Sequence, residues 1–158
     1  MARPGIQAHV HPPRILLADD HRLIRLALRA DLEEAGFEIC AEATTAAEAI
    51  EAAVREDPDL CLMDVSMPGG GLHAAAEINL RLPSTKVVML TASSKKEHVL
   101  EAVRAGASGY LLKEDDPTRL PIVLRDVLAG IPAFPRRLTL PLVLAARTAL
   151  GPPSLASE

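Results

Sequence analysis

Short apolar runs alternate with longer amphipathic stretches along the chain from Arg14 onward. Five runs have the length and the continuous apolar character of strands buried on both faces of a parallel sheet. These predicted strands cover residues 15–18, 37–43, 60–63, 86–90 and 109–112. Because helical patterns separate them, we predict a doubly wound α/β fold with five parallel strands.

The stretches between the strands place apolar residues three and four positions apart, the spacing of one helix face. The first helix carries Leu23 on that face and closes at Gly36. Thr45 and Ser94 each precede a glutamate by three residues, a capping-box pattern that predicts a helix start. The helix after Thr45 is expected to bury Ala46, Ala49, Ile50 and Val54.

Two further helices complete the pattern. One follows the loop of residues 66–71 and runs to about Leu82. The last is expected to begin near Thr118 or Arg119, so that Pro121 falls in the first turn, where its missing N–H has no partner to lose.

Polar residues follow four of the five predicted strands directly. Asp19 and Asp20 follow the first strand, Asp64 the third, Thr91 the fourth and Lys113 the fifth. The carboxyl ends of parallel strands lie at one edge of a doubly wound sheet, where such folds bind their ligands. We therefore expect these five side chains to share one site.

The residue types at this edge indicate phosphoryl chemistry on a metal. Three carboxylates repel one another unless a cation lies among them. Oxygen ligands without histidine or cysteine favour Mg²⁺ or Mn²⁺ over zinc. A lysine and a hydroxyl group supply a charge partner and a donor for phosphoryl oxygens, and a carboxylate can act as the nucleophile.

The motifs at the strand ends resemble the response-regulator receiver domain of two-component signalling. They are Asp19-Asp20, the DVSMP sequence of residues 64–68, Thr91-Ala92 and the YLLK sequence of residues 110–113. The resemblance covers about residues 14–130 and implies a flavodoxin-like (βα)5 fold with strand order 2-1-3-4-5. In that order Cys40 and Cys61 lie two strands apart, too far for a disulfide.

The resemblance also implies a role for each site residue. Asp64 is the expected phosphoacceptor. Mg²⁺ is expected on Asp20, Asp64 and the backbone carbonyl of Ser66, with Asp19 binding it directly or through water. The expected phosphoryl donor is a phosphohistidine on a sensor histidine kinase.

Three further positions are expected to respond to the phosphoryl group. The resemblance implies that Lys113 pairs with its oxygens and that Thr91 moves to hydrogen-bond one of them. Tyr110 is expected to change rotamer with Thr91 and so to switch dimerisation or output. His21, His73 and His98 are read as non-catalytic.

The loop after the DVSMP motif departs from the family pattern. It reads Gly69-Gly70-Gly71, where the family usually has an acidic residue. Three glycines give that loop unusual backbone freedom, and a mobile loop here would alter dephosphorylation or the fit of the kinase.

Composition narrows the class of protein. Aromatic residues make up 2% of the 158 residues, so the core is expected to be aliphatic. The net charge of −4 has the wrong sign for a domain that grips nucleic acid phosphates. No apolar run reaches the roughly 20 residues of a membrane span. A cytoplasmic protein without membrane contact is expected, with both cysteines as reduced core residues.

The domain limits follow from these patterns: a flexible leader at residues 1–13, the receiver at 14–130, and a linker or C-terminal helix at 131–158. The ADDH sequence of residues 18–21 resembles the NarL/FixJ subgroup, whose members usually carry a C-terminal helix-turn-helix domain. The tail is shorter than the roughly 60 residues such a domain needs. The chain is thus expected to be a truncated transcription regulator that meets DNA only through a domain absent here, or a stand-alone receiver.

Two other classes of function fit part of the pattern. A phosphatase of the haloacid-dehalogenase type also uses an aspartate nucleophile with Mg²⁺, but it expects an Asp-x-Asp motif after the first strand. A pseudo-receiver would serve as a protein–protein interaction module or a homodimerisation module. The two aspartates here are adjacent, which argues against the phosphatase, and the intact acidic motif argues against the pseudo-receiver.

Overall fold

The structure is a computed structural model and describes residues 11–135. Five strands form one parallel sheet in the order β2-β1-β3-β4-β5, as predicted. The strands are β1 Arg14–Ala18, β2 Glu38–Ala43, β3 Leu60–Met63, β4 Lys86–Thr91 and β5 Gly109–Leu112. The helices are α1 Arg22–Glu34, α2 Ala46–Glu56, α3 Gly71–Arg81, α4 Lys96–Arg104 and α5 Leu120–Leu128.

The sheet separates two apolar cores because successive strand residues point to opposite faces. In β1, Leu16 and Ala18 face the layer of α2, α3 and α4. Their neighbours Ile15 and Leu17 face the layer of α1 and α5. A continuous apolar run is therefore needed in each central strand, and this explains why the strands could be read directly from the sequence.

The strand register fixes where the chain leaves the sheet. Ala18, the last residue of β1, pairs with Met63, the last residue of β3. Asp64 N donates to Ala18 O at 2.9 Å, and Asp19 N donates to Ala43 O at 3.0 Å. On the other side, Lys113 N donates to Thr91 O at 2.8 Å. The residues that follow β1, β3 and β5 are therefore held by backbone hydrogen bonds at one edge, where Thr91 ends β4.

Two expectations about helix α2 have different outcomes. Thr45 caps it as predicted, since its side chain accepts a hydrogen bond from Glu48 N at 3.1 Å. The expected burial of Val54 is wrong, because that side chain is 50% exposed. Ala52 and Ala53 are buried instead. In an alanine-rich helix the small residues allow close approach to the sheet, and the larger valine is left on the outer face.

Helix α4 does not begin with the predicted capping box. Its N-cap is Lys95, without a side-chain capping hydrogen bond, rather than Ser94. The preceding loop is held by Ser93, whose Oγ accepts from Lys95 N at 3.3 Å and lies 2.5 Å from His98 Nδ1.

The last helix starts with a single 3₁₀ turn, Pro117–Arg119, capped by the carboxylate of Asp116. Pro121 falls in the first turn of α5 as expected. Leu120, Leu124 and Val127 are the buried residues of α5 and pack on the α1 side of the sheet.

The chain beyond α5 returns to the sheet, which the sequence did not indicate. Ala133 pairs with the free edge of β5: Tyr110 N donates to Ala133 O at 2.7 Å, and Ala133 N donates to Ser108 O at 3.0 Å. Phe134 packs against the core beneath α2, α3 and α4. The expected leader lies largely outside the described residues, and so does the apolar tail stretch of residues 138–150.

The cysteines and the lengths of the helices in the described residues also bear on the class of protein. Cys40 and Cys61 are both free thiols, and burial raises the pKa of the Cys61 thiol to about 12. No helix within residues 11–135 is both long enough and apolar enough to cross a bilayer.

Candidate functional site

The residues that follow β1, β3 and β5 meet in a buried charged cluster. Lys113 Nζ lies 2.7 Å from Asp19 Oδ2 and 3.2 Å from Asp64 Oδ2. Asp19 and Asp64 are 4% and 2% exposed. Buried carboxylates are unfavourable unless a cation or several donors compensate them. One lysine bridging both carboxylates supplies that compensation.

Backbone donors complete the environment of the two buried carboxylates. His21 N donates to Asp19 Oδ1 at 2.8 Å, and Ser66 N donates to Asp64 Oδ1 at 3.2 Å. In each carboxylate, one oxygen thus accepts a hydrogen bond from the backbone N–H two residues further along the chain. The other oxygen contacts Lys113.

The electrostatics of this cluster follow from competing effects. Burial acts to raise the pKa of Asp19, but the hydrogen bonds from Lys113 and from His21 outweigh it, so the pKa lies below its ordinary value. Burial acts to lower the pKa of Lys113, but the hydrogen bond to Asp19 and the charges of both carboxylates hold it above its ordinary value. Lysine and Asp19 therefore stabilise each other's charged forms.

Asp20 and His21 extend the cluster toward solvent. One ligand atom each from Asp19, Asp20, His21 and Asp64 lies within 4.8 Å of all the others. His21 was missed as part of the site, because a lone histidine in an amphipathic stretch carries no spacing signal. Its place directly after the two aspartates, at the start of α1, is the only sequence feature that could have found it.

The donor set fits a divalent cation. Three carboxylates with oxygens within 4.8 Å of one another repel, and the single ammonium group of Lys113 leaves the cluster with excess negative charge. Hard oxygen ligands are those that Mg²⁺ and Mn²⁺ prefer. Asp19, Asp20 and Asp64 would hold the ion. A ligand role for the Ser66 carbonyl stays a prediction.

The backbone geometry explains why glycine occupies the three positions after the DVSMP motif. Gly69 and Gly70 have φ values of +88° and +91°, which L side chains rarely adopt. A Cβ on Gly71 would lie 1.9 Å from Asp64 O. Gly71 N donates to Val65 O, and Pro68 O accepts from Ala46 N. The glycines therefore let the loop lie directly against the backbone of Asp64, and the mobility expected from the sequence is not needed to explain them.

Thr91 and Tyr110 lie on neighbouring strands beside the cluster. Thr91 is fully buried, and its Oγ1 accepts from Ser93 N at 3.3 Å. Within residues 11–135 its side chain makes no hydrogen bond to Asp64 or Lys113. Tyr110 is also fully buried, and its hydroxyl donates to Ser93 O at 2.7 Å. Both side chains therefore meet at Ser93, in the loop between β4 and α4.

Comparison with known proteins places this fold and site in a family. Residues 15–125 match the family described as the response regulator receiver domain. The chain belongs to that family: it is the receiver domain of a two-component response regulator, related to NarL/LuxR-type transcriptional regulators and to CheY. Magnesium-dependent phosphorylation is a general property of these domains.

Individual relatives agree with this assignment. The chain is 36% identical over 123 residues to a putative transcriptional regulator of Pseudomonas aeruginosa, covering 77% of this chain and 59% of that one. It is 34% identical to the chemotaxis protein CheY of Thermotoga maritima, covering 72% of this chain and 96% of that one. A LuxR-family response regulator from Aurantimonas sp. SI85-9A1 superposes with a TM-score of 0.78 at 31% identity, covering 85% and 98% of the two chains.

The extent of these matches differs between the classes of relative. The chain spans 55–61% of the length of four regulatory proteins that it matches, three of them described as transcriptional regulators. It spans nearly all of the chemotaxis protein. The similarity therefore covers the receiver part of the longer regulators.

Proposed function

We propose that Asp64 accepts a phosphoryl group from a phosphohistidine of a sensor histidine kinase. The observation that carries this proposal is the contact of the buried Asp64 carboxylate with Lys113, beside an acidic cluster suited to a cation. A carboxylate oxygen of Asp64 attacks phosphorus while the phosphorus–nitrogen bond to the donor imidazole breaks. The product is an acyl phosphate, and the leaving imidazole takes up a proton.

We propose that the metal is Mg²⁺. Asp20, Asp64 and the Ser66 carbonyl would bind it, and Asp19 would bind it directly or through water. Mg²⁺ would offset the negative charge that develops on the transferred phosphoryl group. Lys113 would pair with a phosphoryl oxygen, exchanging part of its contact with Asp64 for the new charge. The position of Lys113 between Asp19 and Asp64 supports this role.

Thr91 and Tyr110 would carry the change outward. Thr91 would turn its hydroxyl to a phosphoryl oxygen and release Ser93 N. Tyr110 donates to the carbonyl of the same Ser93. A movement of Thr91 would thus disturb the anchor of Tyr110 and bias its rotamer. This is the two-state element that we propose phosphorylation shifts.

The wider role follows from family membership. We propose that the switch controls homodimerisation or another output, and that the whole protein is a transcription regulator that meets DNA through a further domain. The domain catalyses only its own phosphorylation and dephosphorylation, and we place it in the cytoplasm. We propose residues 14–130 as the receiver, extended by the pairing of Ala133 with β5, with residues 1–13 as a leader and the rest of 131–158 as a connecting segment.

The first test is intact mass after incubation with acetyl phosphate and Mg²⁺. We expect a gain of one phosphoryl group, lost with EDTA and in Asp64→Asn. Borohydride reduction followed by peptide mapping should place the group on Asp64. Asp57→Asn is the matched control, because Asp57 is an exposed aspartate at the end of α2 and its loss should change nothing.

Two other outcomes of this test would change the proposed function. No gain by a folded protein that still binds Mg²⁺ would favour a constitutive interaction module. Labelling that persists in Asp64→Asn would refute Asp64 as the acceptor.

A further inference from the structure

His21 brings an imidazole into an otherwise all-oxygen site. Its Nδ1 lies 3.0 Å from Asp19 Oδ1, 3.4 Å from Asp20 Oδ1 and 3.9 Å from Asp64 Oδ2. The ring is 58% exposed, so burial in the core does not account for its position, whereas a hydrogen bond between Nδ1 and Asp19 Oδ1 does. The histidine therefore faces the acidic cluster itself.

These separations are those of ligands around one small cation. For metal–ligand distances of about 2.1 Å, octahedral ligands lie about 3.0 Å apart when adjacent and about 4.2 Å apart when opposite. All three distances from His21 Nδ1 fall within these limits. An ion placed among the carboxylates would thus have Nδ1 within coordination reach with little movement of the ring.

Lys113 does not block this arrangement at Asp19. It contacts Oδ2 of Asp19, whereas His21 Nδ1 lies nearest to Oδ1 of the same carboxylate. The backbone of His21 is also fixed, because its N–H donates to Asp19 Oδ1. At Asp64 both groups approach Oδ2, with Lys113 Nζ at 3.2 Å and His21 Nδ1 at 3.9 Å.

We propose that His21 is a nitrogen ligand of this metal site and that it sets the choice of ion. The inference rests on the metal site of the proposed function. Imidazole nitrogen suits Zn²⁺, Ni²⁺ and Co²⁺, whereas Mg²⁺ prefers oxygen and keeps its waters. Metal binding replaces the hydrogen bond between Nδ1 and Asp19 Oδ1 and releases the Nδ1 proton to solvent. With Nδ1 as a ligand and the remaining proton on Nε2, the site binds nitrogen-favouring divalent ions more tightly than its carboxylates alone would. Mg²⁺ gains little from the same ring.

The direct test is the long-range ¹H–¹⁵N spectrum of the histidine rings, recorded during titration with Zn²⁺. A protein with His9→Ala and His11→Ala removes two leader histidines that can bind zinc by themselves. At one equivalent of Zn²⁺ we expect Nδ1 of His21 to shift to the range of a metal-bound nitrogen while Nε2 keeps its proton. His73 is the internal control, since it is exposed on α3 and belongs to no acidic cluster.

Calorimetry gives the second, independent measurement. The dissociation constants of Zn²⁺ and Mg²⁺ are compared in the same background with and without His21→Ala. We expect the preference for Zn²⁺ over Mg²⁺ to fall by at least about tenfold, the lower end of the loss seen when a group supporting a metal site is removed. His73→Ala should leave the preference unchanged.

The outcomes separate this inference from the proposed function. An unshifted His21 ring, or an equal loss of affinity for both ions, overturns the nitrogen ligand. If Mg²⁺ still binds there and binding needs Asp64, the phosphorylation site stands. Failure of every divalent ion to bind would remove the metal site from both proposals.

Discussion

Among the residues described, Lys113 is the only lysine or arginine whose side chain contacts the two buried carboxylates. Replacing it with methionine keeps most of its apolar stem but leaves Asp19 and Asp64 buried without their ammonium partner. Removing one partner of a buried ion pair costs about 3–5 kcal/mol, and we expect the lower end for Lys113→Met because the lysine is partly exposed. Urea denaturation at pH 7 in EDTA measures it.

The pH dependence of that loss follows from the pKa shifts. The pKa of Asp19 is lowered in the folded state, so its stabilisation is present above the ordinary value of 3.8 and disappears as the pH falls through the lower folded value. The pKa of Lys113 is raised, so its stabilisation is present below 10.5 and is lost at higher pH. The difference between wild type and Lys113→Met should therefore be largest between these limits and shrink in acid. A difference that stays constant down to pH 3 would contradict the ion-pair explanation.

Gly71 offers a second prediction for a single residue. A Cβ there would lie 1.9 Å from Asp64 O and 2.8 Å from Asp64 C, both backbone atoms that cannot swing away. We expect Gly71→Ala to destabilise the fold by at least about 3 kcal/mol, the upper part of the range for overpacking. Chemical denaturation is the measurement. Gly130→Ala is the comparison: a Cβ there meets nothing within 4 Å, but the φ of +96° strains an L residue, so its smaller loss reports backbone strain without a steric clash. Equal losses for both variants would refute the steric explanation.

The sequence predicted individual site residues where a strand delivers them to the edge. Asp19, Asp64 and Lys113 each follow a continuous apolar run, so the fold rule was enough to bring them together. His21 was missed because its position depends on how the chain turns into α1, which no apolar spacing records. The glycines were seen, but the reason for Gly71 lies in a contact with the Asp64 backbone that only the folded chain shows.

At the scale of elements, two helix starts with the same sequence signature differ in structure. Thr45 caps α2 with a hydrogen bond from Glu48 N, whereas Ser94 makes no cap for α4. We expect Thr45→Ala to lower the free energy of unfolding by about 1 kcal/mol, the usual cost of losing such a cap. Ser94→Ala should cost close to nothing, and thermal or urea denaturation of both variants checks the pair. A loss at Ser94 equal to that at Thr45 would show that the predicted box caps α4 after all.

A helix or strand could be predicted well where the burial of its faces alone determines its pattern of apolar residues. The central strands are buried on both faces, so any polar residue marks their end. The face of α2 was assigned less well, because alanines on several sides of a helix give almost no contrast and Val54 carried too much weight. Leu23 on α1 is likewise 80% exposed, so a regular apolar spacing identified the helix without identifying its buried face.

At the scale of the whole molecule, the domain does not end with its last helix. Without residues 131–135, β5 would be an open edge of the sheet with unpaired backbone groups at Ser108 and Tyr110. Ala133 pairs with both groups, and Phe134 covers part of the core. A single short bridge has no alternating pattern, which is why it could not be predicted from the sequence.

This edge pairing leads to a prediction about chain length. We expect a chain that ends at residue 130 to be less stable than one that ends at residue 135, because it loses two backbone hydrogen bonds and the contacts of Phe134. Each hydrogen bond contributes about 1 kcal/mol net, and the burial of part of an aromatic ring adds to this, so a total of about 2–4 kcal/mol is expected. An unpaired strand edge also promotes association, so the shorter chain should self-associate at concentrations where the longer one is monodisperse. Urea denaturation and sedimentation velocity on the matched pair measure both effects. If the two chains prove equally stable and equally dispersed, the returning segment lies on the sheet without supporting it, and the receiver is complete at the end of α5.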